Sequence, residues 1–232
     1  MATGSAGTCW YAVSVITRKD DCRPTRLMTG DNSYRDSLGE KSWRRLAPEV
    51  RMRFSHKPRP GQSLLYRGVM HRVELSFMGW LFAQACRVIG TPLAPYRGTD
   101  VPMIIELSQD ANLGGIAWHR TYEFPGGRMF TARSTKCNAA GSEFIEHIGC
   151  GFQMRLRLTE EDGNLVFIST QYEVCLFGRN CRIPPWLTPG KTTVRHEQLT
   201  GDRFRFSLSV DHPQLGRTVF QVGEFYSDVS DV

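Results

Sequence analysis

Closely spaced cysteine pairs, a cationic leader and an apolar run long enough to cross a bilayer are all missing from this chain. The seven cysteines, Cys9, Cys22, Cys86, Cys137, Cys150, Cys175 and Cys181, lack the two-residue spacing of zinc ribbons and redox pairs, and their odd number fits reduced thiols in a cytoplasm. The longest apolar run, Phe77 to Cys86, is interrupted by Gln84 and followed by Arg87. That is far short of the roughly 20 residues a spanning helix needs, so no transmembrane segment is expected. The short apolar stretch Trp10 to Ile16 has Arg18 and Lys19 after it instead of a basic region before it, which argues against a secretory signal. Residues 1–30 are expected to form a poorly ordered leader, with Met28 as an alternative start.

Other chemistries are missing too. The six histidines are scattered, and none stands at ligand spacing from a cysteine, so neither a metal nor a cofactor is expected. Between Pro102 and Phe225 there is no phosphate-cradling glycine loop and no nucleophile elbow. Cys150 lies between Gly149 and Gly151 without an identifiable base, and a bulge is its plain explanation. The chain is basic, with a formal charge of +6 and a pI near 9.1. Its arginines are nevertheless spread through the strands as well as gathered between Arg44 and Arg59, with no stripe of interleaved aromatics. Solvated faces explain that pattern, and nucleic acid is not an expected partner.

What remains is the composition of an ordinary globular protein, with 41% hydrophobic and 22% charged residues in 232. This length fits one domain, residues 31–232, with a helical flank. Trp43, Leu46, Val50 and Phe54 recur at helical spacing after the capping candidates Asp36 and Ser37, and Pro48 predicts two short helices meeting near Ala47. A first strand is expected over Leu64 to Glu74. Ser76 can cap a helix from Phe77 to Ile89 that Gly90, Thr91 and Pro92 terminate. That helix is apolar nearly all round, so it either plugs the open end of a sheet or lies against a membrane or partner.

From Pro102 onward, short strands with alternating apolar and polar residues follow one another, joined by tight turns such as Pro125-Gly126-Gly127, Asp162-Gly163 and Gly201-Asp202. The expected fold is α+β and mainly antiparallel β: a curved sheet or half-open barrel with N-terminal helices and one apolar helix plugging it. Phe177 to Lys191, rich in proline, reads as a long structured loop of the kind that forms lids.

Several segments resemble one family. They are Leu46-Ala47-Pro48-Glu49-Val50-Arg51 within Tyr34 to Phe54, the strand Tyr66-Arg67-Gly68-Val69-Met70, and Trp118-His119-Arg120-Thr121-Tyr122, followed by Gly201-Asp202-Arg203-Phe204-Arg205-Phe206 and His212-Pro213-Gln214-Leu215-Gly216-Arg217. Together, over residues 34–226, they are similar to the bacterial family catalogued as domain of unknown function 4166. Its Trp-x-Arg-x-aromatic element is met by Trp118, Arg120 and Tyr122, and its later Ser by Ser134. The resemblance implies a metabolic setting, since members occur alone or attached to a saccharopine-reductase-like oxidoreductase, but it supplies no activity.

Trp118, Arg120 and Tyr122 share one face of their strand. Facing inward, Arg120 would be a buried cation needing a carboxylate or an anionic ligand group; facing outward, it would stack between the two aromatics beside a neighbouring Glu. Glu143, Glu146, His147, Glu173, His196 and Glu197 are the candidates for proton transfer. Glu146 leads, because it alternates with Phe144 and Ile148, and Glu173 is in phase with Leu165 and Phe167. Arg120, Glu146 and Glu173 are thus the candidate catalytic residues, and Trp118, Tyr122, Trp80, Phe130, Tyr172 and Trp186 the expected apolar contacts of a ligand.

The expected function is binding of a hydrophobic small molecule with one polar or anionic group. It extends to a cofactor-independent isomerase or cyclase of polyketide- or terpene-like substrates in bacterial secondary metabolism. The alternative is a non-catalytic module that docks on a separate oxidoreductase through the basic N-terminal helices.

Overall fold

A computed structural model describes residues 33–89, 93–138 and 144–227. The expected leader, the helix-terminating residues 90–92 and Glu143 lie outside the described residues. Three short helices open the described chain, α1 (Ser33–Leu38), α2 (Glu40–Arg45) and α3 (Pro48–Ser55). The extra break falls at Gly39, whose φ of 80° lies in the left-handed region that glycine enters without steric cost. Pro48 is the first residue of α3, where its missing N–H costs no hydrogen bond, and Asp36 and Ser37 lie inside α1 instead of capping it.

Eleven strands follow: β1 (Ser63–Leu75), β2 (Gly98–Asp110), β3 (Gly115–Phe124), β4 (Arg128–Asn138), β5 (Phe144–Gly149), β6 (Phe152–Glu161), β7 (Asn164–Leu176), β8 (Arg179–Arg182), β9 (Lys191–Gln198), β10 (Arg203–His212) and β11 (Gly216–Ser227). Their order is β6-β5-β4-β3-β2-β1-β11-β10-β9-β7, every neighbour antiparallel, and β6 then pairs with β7. Ten strands therefore close into a barrel, a step beyond the half-open sheet that the sequence also allows. The eleventh, β8, is a flap on the second half of β7, whose first half is taken by β9.

Alternation along each strand sends one row of side chains inward. Met103, Ile105 and Leu107 on β2, Phe204, Phe206, Leu208 and Val210 on β10, and Val219 and Phe225 on β11 are all buried. The N-terminal helices close one end of the barrel. Tyr34, Trp43, Leu46, Val50 and Phe54 join the core, with the Tyr34 ring 4.9 Å from Phe144 and 5.2 Å from Phe54.

The opposite end is covered by α4 (Phe77–Ile89), set between β1 and β2. Ser76 Oγ accepts the Gly79 N–H at 3.0 Å, the expected N-terminal cap. Gly79 lies so close to β11 that a Cβ there would stand 1.9 Å from the Thr218 carbonyl oxygen, so glycine is what lets the helix seat. Ala83 and Cys86 share its buried side, while Phe77, Trp80 and Leu81 face solvent. Plugging thus accounts for one face of α4 only.

The Phe177 to Lys191 loop contains β8 and a single 3-10 turn, Pro185–Leu187, and folds over the same end. Of the cysteines, Cys86, Cys137, Cys150 and Cys181 are free, but Cys175 is disulfide-bonded, which corrects the expectation of thiols throughout. Among the described residues no helix is long and apolar enough to cross a membrane.

Candidate functional site

Under α4 the barrel leaves a cavity of about 260 Å³, near the lower end of small-molecule sites. Its wall is largely apolar: Phe82, Ala85 and Cys86 from α4, Ile148, Phe152, Met154 and Val194 from the strands, and Ile183, Leu187 and Pro189 from the loop. Trp118, Arg120, Lys136, Glu146, Tyr172 and His196 supply polar groups.

Register explains how the charges meet. Trp118 lies opposite Ser134 on β4, and Lys136, two residues on, shares that inward face and lies opposite Glu146 on β5. Lys136 Nζ donates to Glu146 Oε1 at 2.9 Å and stands 4.6 Å from the centre of the Trp118 ring. Arg120 Nη2 donates to Ser134 Oγ at 3.0 Å and is 4.0 Å from the same Glu146 oxygen. Arg120 is therefore inward, with Glu146 a shared and distant partner, and its buried Nε has no partner among the described residues.

Two buried cations thus face one carboxylate, a residual positive charge in an apolar chamber. Burial alone would raise the Glu146 carboxyl, but the Lys136 and Arg120 charges outweigh it and hold the group below the ordinary carboxylate range. Burial and Arg120 pull the Lys136 ammonium down, against the attraction of Glu146.

His196 is also inward, 3% exposed, with its ring 5.0 Å from Phe54, 5.5 Å from Phe206 and 6.0 Å from Trp118. Burial, followed by the charges of Arg53, Lys136 and Arg120, holds its pKa well below the ordinary value, so it is neutral at physiological pH. A depressed His contributes stability that is complete above its unfolded value, about 6.5, and is lost as pH falls. His196→Phe is expected to flatten the fall in urea midpoint on acidification below that pH, with the more weakly lowered His119 and His147 supplying the remainder.

The other candidate residues are divided by the fold. Tyr172 lines the cavity and shares a 2.7 Å hydrogen bond with Thr192, its phenol pushed up to about 12 by burial. Tyr122 is inward but off the cavity wall, donating to Gln221 at 2.9 Å, and Phe130 packs beside it with ring centres 6.2 Å apart. Trp80 is solvent-facing and stacked on Phe77 at 6.4 Å, and Trp186 is 60% exposed, so neither touches the cavity.

Glu173 is the sharpest correction. Arg155 pairs with Gln171 but Leu156 with Ser169, so Thr170 is an extra residue that reverses the facing of everything after it. Glu173 consequently lies on the face opposite Phe167, accepting hydrogen bonds from Gln153, Arg155 and Gln171 at 2.7, 2.7 and 2.6 Å. It takes no part in the cavity.

Lys136 is a site residue that the sequence reading lacks; its signal is parity with Ser134 on β4, whereas its pairing with Glu146 is set by the β4–β5 register. Among the described residues no group of three His, Cys, Asp or Glu is placed to hold a metal ion.

Residues 46–225 match the model of the family described as domain of unknown function 4166. The chain belongs to the DUF4166 family. No curated protein and no solved structure matches it. The DUF4166 segment holds the whole cavity wall, and the Arg120–Ser134 hydrogen bond joins two positions that the sequence resemblance singles out.

Proposed function

We propose that this DUF4166 barrel holds a small apolar molecule bearing one anionic group, such as a carboxylate. One observation carries the reading: an apolar cavity whose wall bears Arg120 and Lys136 against the carboxylate Glu146, with Arg120 Nε unpartnered among the described residues. A buried cation without a full partner is unfavourable, and a ligand anion beside Arg120 would relieve it.

The test is a titration of the full chain with decanoate, decanol and decylamine. Hydrogen bonds to charged groups contribute about 1.5–3 kcal/mol, so decanoate is expected to bind roughly ten- to a hundredfold tighter than decanol, and decylamine weakest. Equal affinities, or a preference for the amine, would overturn the reading.

Extension to an isomerase or cyclase asks more of the same wall. Arg120 would stabilise developing negative charge, and Glu146, held ionised, is suited to accept a proton but not to donate one at neutral pH. Protonated groups on the wall include Tyr172 and Cys86, pushed up to about 12 and about 11 by burial. Binding requires fewer steps and is the preferred reading.

The docking alternative draws on the basic N-terminal helices. Arg35 and Arg44 are paired with Glu40, Arg45 with Glu160 and Arg53 with Gln198, and the apolar side of these helices is spent inside the barrel. We accordingly read residues 31–232 as one domain. Truncation before Gln62 would remove part of the core, so the titration of the intact chain is the discriminating experiment.

A further inference from the structure

The cavity opens between α4 and the loop after β7, because Ala85 and Leu187 both line it and both reach solvent. His212 joins the three segments around this mouth. Its ring stacks on Phe82 of α4 at 6.1 Å, its Nδ1 accepts the N–H groups of Gln214 and Leu215, and its Nε2 donates to the Trp186 carbonyl at 3.4 Å.

Around His212 the rim is unusually apolar for a surface. Phe77, Trp80 and Leu81 project from α4, Trp186 and Leu187 from the loop, and Leu215 from the β10–β11 turn, all exposed. The same three segments, 77–89, 177–191 and 212–217, carry the five cations Arg87, Arg179, Arg182, Lys191 and Arg217 and no Asp or Glu. Of these, Arg217 is paired with the adjacent Asp211.

We propose that this rim docks on an anionic phospholipid surface, from which the ligand enters the barrel. Tryptophans suit the headgroup layer, where an apolar body and a polar N–H are both accommodated, and cations beside them are drawn to anionic lipid. A polar protein partner would leave the aromatics unsatisfied, whereas a membrane satisfies aromatics and cations together. The apolar rim is also continuous with the apolar cavity, so an amphiphile can pass from bilayer to barrel with its anionic group leading toward Arg120 and its tail kept against apolar surface. The transfer step rests on the anionic-amphiphile reading above; the docking step does not.

Co-sedimentation of the full chain with vesicles of phosphatidylcholine, with and without phosphatidylglycerol, tests the docking, and decanoate titration in solution is run beside it. The chain is expected to sediment with phosphatidylglycerol vesicles and to be released by salt. Trp80→Ser combined with Trp186→Ser is expected to weaken vesicle binding about tenfold or more while leaving decanoate affinity unchanged, since neither side chain touches the cavity. Arg87→Glu with Lys191→Glu serves as a second variant that leaves the aromatics intact, and it too is expected to reduce sedimentation.

Failure of the wild type to sediment, or sedimentation of both variants equal to that of wild type, would overturn the proposal. So would a dimer in solution that the tryptophan substitutions dissolve without any vesicle binding, which would assign the rim to a second copy. Vesicle binding without decanoate binding would sustain the docking surface and sink the cavity reading instead.

Discussion

Glu146→Gln is expected to destabilise the barrel by about 3–5 kcal/mol, the cost of stranding a buried charge by removing its partner. The substitution is nearly isosteric, so packing barely changes, but Lys136 and Arg120 lose the carboxylate they share. Because the Glu146 pKa is depressed, its contribution is present in full above the ordinary value of 4.5 and is lost as pH falls through the lower folded value. Wild type and variant should therefore converge in acid and separate toward neutrality. Lys136→Met, which leaves Arg120 and Glu146 as a one-to-one pair, is expected to cost much less. Denaturant unfolding of the three proteins at neutral and acid pH checks both the ordering and the sign. Addition of decanoate should recover part of the loss in the Glu146→Gln variant, since a ligand bound only by the folded state stabilises it. A Glu146→Gln midpoint equal to wild type at neutral pH would mean that the two cations do not depend on this carboxylate.

Arg120→Met is expected to have the opposite profile, with stability retained and decanoate affinity lowered roughly ten- to a hundredfold. Methionine fills much of the volume of the arginine stem, and what remains on the wall is the charge-balanced Lys136–Glu146 pair at 2.9 Å. Replacing a buried, incompletely paired ion by an apolar residue is often neutral or stabilising, so the melting temperature should hold or rise. Decanol, which offers no anion, should bind the variant as it binds wild type. Unchanged decanoate affinity would take Arg120 out of ligand recognition.

Antiparallel strands, their turns, and the cap and span of the plugging helix were legible because each rests on local chemistry: period-two alternation, turn glycines and Ser76. Parity set Trp118, Arg120 and Tyr122 on one face, and the barrel decides that this face is the inner one. Closure was not legible, since the pairing of β6 with β7 and of β9 with the first half of β7 depends on tilt and stagger, which no residue encodes by itself. Parity also failed at Glu173, because the Thr170 bulge has no glycine or proline to mark it. The outward placement of Trp80 and Trp186 is not legible for a different reason: a helix apolar on nearly every side does not reveal its own rotation, and a bulky ring in a loop has no periodicity to orient it. Gly39 did mark the additional helix break, through the positive φ that glycine tolerates.

The seam of the barrel has a consequence for how the molecule is made. Tyr66 near the start of β1 pairs with Ser227 at the end of β11, so β1 must wait for β11, the last of the described strands, before its second edge is satisfied. Until then Tyr34, Trp43 and Phe54 have no enclosed interior to enter, and a partly synthesised chain displays them together with an open β-edge. Folding is accordingly governed by contacts of the longest sequence separation, a slow regime in which nascent chains are prone to associate.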